Sequence, residues 1–93
     1  MANTIKLEIV TPKAVVYSDN VSMVGLPGRQ GDMGIYPNHV PLVTKVDAGE
    51  VEVTKDGQKE LFAVGEGFAE VMPDRVSILT DMAALEAEKF LSH

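Results

Sequence analysis

Cysteine is absent from this chain, and with it go disulfides, thiol nucleophiles and thiolate metal sites. That absence agrees with a reducing compartment. Basic residues are few: eight Lys and Arg stand against fourteen Asp and Glu, for a net charge of −6. The eight are scattered from Lys6 to Lys89 with no stripe, which counts against nucleic acid and anionic lipid, since both need clustered cations. An acidic domain can still dock onto a basic protein surface. No apolar run approaches the roughly 20 residues that span a bilayer, and no basic segment with an apolar core and cleavage site opens the chain. The expectation is therefore a chain that is neither secreted nor directly inserted in a membrane.

Histidine is scarce too, with His39 the sole internal one and His93 at the end. Asp32 and Asp47 are its neighbours in sequence, but no Cys, no Ser in an elbow motif and no second internal His accompany it. A general base needs an orienting acid and a nucleophile or substrate pocket, and zinc wants three or four clustered ligands. The expectation is no catalysis, no metal and no cofactor.

What is present is a glycine pattern. Gly25, Gly28, Gly31 and Gly34 recur every third residue, punctuated by Pro27 and Pro37, and the stretch runs on into Asn38-His39-Val40-Pro41. Four triplets cannot wind a collagen helix. A phosphate loop would end in Gly-Lys-Ser/Thr and open a helix, whereas Gly34 runs into Ile35-Tyr36-Pro37. The dinucleotide fingerprint lacks its helix and its ribose-binding acid. The stretch reads as a shaped, turn-rich connection held between strands.

Ile5, Leu7 and Ile9 alternate with Lys6 and Glu8, the period of a half-buried strand. Ala14 to Tyr17, ended by Ser18-Asp19-Asn20, and Val21 to Leu26 read as two more strands. Ile35-Tyr36 is a stub, Pro41 to Val46 a strand opening on proline, and Val51 and Val53 mark the clearest solvated-face strand. Asp56-Gly57 signals a hairpin. Its register is open on sequence grounds: a two-residue loop sets Val53 opposite Glu60, and a three-residue loop through Gln58 sets it opposite Leu61. The second buries better and is favoured. Leu61 to Val64, Phe68 to Met72 and Val76 to Thr80 complete an all-β antiparallel sandwich or flattened barrel over residues 1–80. Asp81 then reads as an N-cap, and Met82 to Leu91, dense in helix formers, as a short C-terminal helix opening a helical segment over 81–93.

Lys45, before Val46-Asp47-Ala48-Gly49, raises a second reading, a small all-β carrier domain with a modified lysine. Its neighbours Thr44 and Val46 match neither the biotinyl nor the lipoyl signature, so a solvated strand-end lysine is the plainer account.

Gly31-Asp32-Met33-Gly34-Ile35-Tyr36-Pro37-Asn38-His39-Val40-Pro41-Leu42-Val43-Thr44, with Gly49 after it, resembles the signature of the epsilon subunit of bacterial F-type ATP synthase. The strand Ile5 to Pro12, the stretch Gly65 to Val71 and Val76 to Asp81 fit as well, so the resemblance runs from Ile5 to about Leu91. It implies a ten-stranded β-sandwich in the rotating central stalk, packed on the gamma subunit and seated on the c-ring. Such a piece couples ion translocation to ATP synthesis without chemistry of its own. It also implies a peripheral place in F1 at the cytoplasmic face of the inner (plasma) membrane. Position by position, the ring contact falls on Arg29, Gln30, Asp32 and Met33, with Asp32 the acidic residue meeting polar, arginine-bearing loops. A solvated turn Asp is the plain alternative. The gamma contact falls on His39, Val40 and Pro41, where a buried structural histidine is the alternative. Family members usually continue into a two-helix hairpin that inhibits ATP hydrolysis and in some bacteria binds ATP. This sequence stops within or just after the first expected helix, so neither property is expected of the residues given.

Overall fold

The computed structural model describes residues 3–28 and 31–90, with side chains described through residue 86. The period-two segments become ten strands: β1 Ile5–Val10, β2 Val15–Val21, β3 Met23–Leu26, β4 Met33–Ile35, β5 Leu42–Val46, β6 Gly49–Lys55, β7 Gln58–Val64, β8 Gly67–Met72, β9 Arg75–Thr80 and β10 Ala83–Phe90. They form two five-stranded sheets, ordered β2-β1-β9-β8-β5 and β10-β7-β6-β3-β4. The expected ten-stranded sandwich is present. Among the described residues the one parallel pair is β1 with β9, where Lys6 faces Arg75 and Val10 faces Leu79.

The core follows from alternation. Ile5, Leu7 and Ile9 of β1, Val51 and Val53 of β6, Ala69 and Val71 of β8, and Val76 and Ile78 of β9 all point between the sheets and are buried. Along the open side by β2, two contacts close the seam between the sheets. Tyr17 meets Phe62 edge-to-face with ring centroids 5.1 Å apart, and Lys55 donates a hydrogen bond to the Asp19 carboxylate. That is why Ser18-Asp19-Asn20, read from sequence as a strand end, continues β2: Asp19 pairs with Leu7 and its side chain bridges to β6. The expected single strand Val21 to Leu26 divides at Ser22, where the chain passes from one sheet to the other and Ser22 N–H donates to Thr54 O at 2.7 Å.

The favoured three-residue hairpin loop is corrected. Lys55 pairs with Gln58 and Val53 with Glu60, so the loop is Asp56-Gly57 alone. Both residues have positive φ (51° and 76°), the backbone of a tight turn whose twist matches that of the strands. Matching apolar residues misled the register because Leu61 is used on the outer face of its sheet, not in the core.

The C-terminal helix is also corrected. Of the residues read as helix, Ala83–Phe90 instead form β10, antiparallel to β7, with a bulge between Leu85 and Ala87. Without β10, one whole side of β7 would present unpaired donors and acceptors, and that pairing outweighs a helix propensity worth tenths of a kcal/mol per residue. Asp81 opens no helix; its carboxylate lies where a Gly65 side chain would stand. Thr80, buried, steadies the same corner, its hydroxyl 3.0 Å from Gly65 O and 3.1 Å from Met82 O. Leu91 lies outside the described residues.

Candidate functional site

The glycine stretch is the connection β3–tip–β4–loop–β5, and it crosses from the second sheet to the first. Gly28 and Gly31 close a four-residue turn through a Gly31 N–H to Gly28 O bond of 3.1 Å. Arg29 and Gln30, expected at the ring contact, lie outside the described residues. Asp32 is exposed and Met33 is 38% exposed, so both face outward at the base of the tip.

Beyond β4 the chain turns at Asn38, whose φ of 67° is a left-handed conformation that Asn accepts more readily than most residues. Asn38 N–H donates to Pro73 O at 2.8 Å, which pins this loop to the β8–β9 turn. His39 is half-buried, with Nδ1 2.7 Å from Val40 O; Val40 is 71% exposed and Pro41 is exposed. The histidine ring is therefore fastened to its own backbone while the two residues after it face outward.

The tip and this loop stand at opposite ends of the sandwich. Pro41 leads into β5, and at the far end of β5 Asp47 N–H donates to Pro27 O at 3.2 Å, beside the tip. The length of β5, roughly 15 Å at about 3.3 Å per residue, separates the two groups. The structure thus brings Asp32 and Met33 together, and His39, Val40 and Pro41 together, but not the two sets. Lys45 is exposed within β5 and paired with Phe68, not at a turn apex.

Sequence reading missed a groove of about 520 Å³ on the outer face of the second sheet, beside the tip. Gly25 and Gly34, adjacent on β3 and β4, form part of its floor, and Asp32, Met33, Tyr36 and Leu61 help line it. The signal was present: two of the four periodic glycines fall at outward positions of strands, where a missing side chain leaves a hollow.

Among the described residues no three His, Asp or Glu side chains are grouped to hold a metal ion, and no helix is long and apolar enough to cross a membrane. The family model "ATP synthase, Delta/Epsilon chain, beta-sandwich domain" matches residues 4–86. The chain belongs to this family. An ATP synthase epsilon chain of Roseiflexus is 49% identical over 79 residues, 85% of this chain and 57% of that relative. The epsilon chain of Bacillus subtilis is 46% identical over 86% of this chain and 61% of its own length. The chain thus spans little more than half the length of these relatives. Among solved structures, a chain in the cryo-EM structure of Euglena gracilis mitochondrial ATP synthase (OSCP, F1 and c-ring) superposes with a TM-score of 0.83. It is 24% identical, and the match covers 91% of this chain and 55% of that one. A chain of the Tetrahymena thermophila central stalk and c-ring gives 0.72 at 13% identity, over 86% of this chain and 65% of the other. These two likenesses show the fold alone.

Proposed function

We propose that this member of the delta/epsilon sandwich family is a non-catalytic rotor piece of the central stalk, a spacer that links the gamma subunit to the c-ring. One observation carries the reading: two outward-facing segments stand at opposite ends of one packed sandwich. Asp32 and Met33, with Arg29 and Gln30 of the same tip, meet the polar loops of the ring. His39, Val40 and Pro41 meet gamma. Strands β4 and β5 join the two ends through Ile35 and Val46, both fully buried, so a load at one end reaches the other through close-packed side chains. The tip's carboxylate suits a cationic partner, and the exposed Val40-Pro41 pair suits a packed, less polar one. On this reading the domain works peripherally, at the cytoplasmic face of the membrane that carries the ring, and relays torque between ion flow and ATP synthesis.

The test is Asp32→Arg in the reconstituted synthase. Placing a cation against cationic loops lowers proton-driven ATP synthesis while gamma still co-purifies with the chain. Val40→Asp does the reverse, weakening gamma retention first. If Asp32→Arg couples as well as the unaltered protein, the ring contact is wrongly assigned.

A further inference from the structure

Asp32 and Met33, assigned above to the ring, lie along the groove beside the tip, but Tyr36, Glu50, Glu52 and Leu61 in the same lining belong to neither proposed contact. Its floor at Gly25 and Gly34 is bare backbone in register across β3 and β4. Tyr36, 60% exposed, stands as one wall, with its Cε2 3.5 Å from where a Gly34 side chain would begin. Leu61 contributes apolar surface, and Glu50 and Glu52 of β6 supply carboxylates. One oxygen of Glu52 is drawn to Lys59 at 3.4 Å. Glu50 has a second acid for a neighbour, and hydrogen bonding to Glu50 lifts the Glu86 carboxyl above its ordinary value.

These features ask for a particular guest. A flat glycine floor admits a planar or extended group to van der Waals distance of the backbone. An aromatic wall attracts a cation over its face. Crowded carboxylates beside it gain from a positive charge that relieves their repulsion. We infer that this groove docks an extended protein segment presenting an arginine, whose guanidinium lies between the Tyr36 ring and the Glu50 and Glu52 carboxylates over the Gly25–Gly34 floor. Arginine fits better than lysine because its planar fork stacks on a ring and bonds carboxylates at the same time. The inference goes beyond the rotor reading and is argued from Tyr36, Glu50, Glu52 and the glycine floor, none of which the ring or gamma contact uses.

The test is a titration of the isotope-labelled chain with the blocked tripeptide acetyl-Ala-Arg-Ala-amide, followed by amide chemical shifts. The control peptide carries citrulline, which keeps the shape and removes the charge. Saturable shifts at Gly25, Gly34, Tyr36 and Glu52 with the arginine peptide, and none with citrulline, support the site. A Glu50→Gln/Glu52→Gln double variant weakens binding about fivefold, the scale of two exposed charge pairs. Gly34→Ala raises the floor by one methyl at ordinary contact distance from Tyr36, so it folds normally and loses the shifts. Equal response to citrulline, shifts spread over the acidic surface at Glu8 and Glu70, or no response at millimolar peptide each overturn the inference. Because no readout involves Asp32, gamma or the ring, failure here is distinct from failure of the coupling assay.

Discussion

Gly67→Ala is the sharpest test of how this sandwich is built. Gly67 opens β8 and pairs with Thr80 of β9. A methyl group there would stand 1.9 Å from Leu79 O and 2.9 Å from both Leu79 C and Thr80 Cα. All three are backbone atoms of the neighbouring strand, so no rotamer change relieves the overlap. The two strands must part by more than an ångström at the corner where Thr80 holds Gly65 and Met82. Overpacking costs about 1–3 kcal/mol, and disturbing one buried hydrogen bond adds about 1 kcal/mol. The loss of chain freedom in the unfolded state returns about 0.4–1 kcal/mol. The net is a destabilisation of about 2–3 kcal/mol, a substantial part of the roughly 5–14 kcal/mol expected for a chain of this length. At about 4–8 °C per kcal/mol the melting temperature falls by about 10–20 °C. Thermal melts by circular dichroism measure it, with Gly34→Ala as the control because its new methyl meets only Tyr36 at 3.5 Å. A fall under about 4 °C, with the control unchanged, would show that this corner yields easily and that the steric reasoning is wrong.

Three further outcomes follow from the closed seam beside β2. Among the described residues the buried Tyr17 hydroxyl has no hydrogen-bond partner, and burial first, then the nearby Glu60 and Asp19 charges, pushes its pKa up to about 12. The Glu60 carboxylate faces it without reaching bonding geometry, so Tyr17→Phe keeps or raises stability by up to about 1 kcal/mol. The unaltered protein loses stability as pH climbs from the unfolded phenol's range towards 12, and the variant's loss over that window is smaller, as alkaline melts would show. Asp19 is held below the usual carboxylate range by the Lys55 hydrogen bond and then by Asn20 N–H. Its contribution is present at neutral pH and is lost as pH falls through the acid range, so the gap in melting temperature between the protein and Asp19→Asn closes on acidification. Phe62→Ala empties the core position that Tyr17 packs against, costs about 3–5 kcal/mol and is read by urea unfolding.

Nine of the strands were legible because alternation such as Ile5-Leu7-Ile9 or Val51-Val53 records which face is buried. Three features were not. Asp19 looks like a strand breaker until its cross-sheet cation is known, since Lys55 lies far away in sequence. Leu61 looks like the natural partner of Val53 until the outer groove that uses it is seen. Ala83 to Phe90 has the composition of a helix, and only the vacant side of β7 makes it a strand. At the candidate site, the residue types of the tip and the His39 loop were visible, but their separation along β5 depends on a crossing between sheets that local patterns do not encode. The groove is hard to see in sequence because a glycine signals a turn more readily than a gap in a surface.

The parallel pairing of β1 with β9 has a consequence for synthesis. Lys6 is made well before Arg75, its partner on the neighbouring strand. The middle of the first sheet is therefore unfinished until β9 has been made, and the early apolar strand Ile5-Leu7-Ile9 waits uncovered meanwhile. A nascent chain halted before Arg75 cannot close its first sheet, and the synthesis of β9 is the event that permits it.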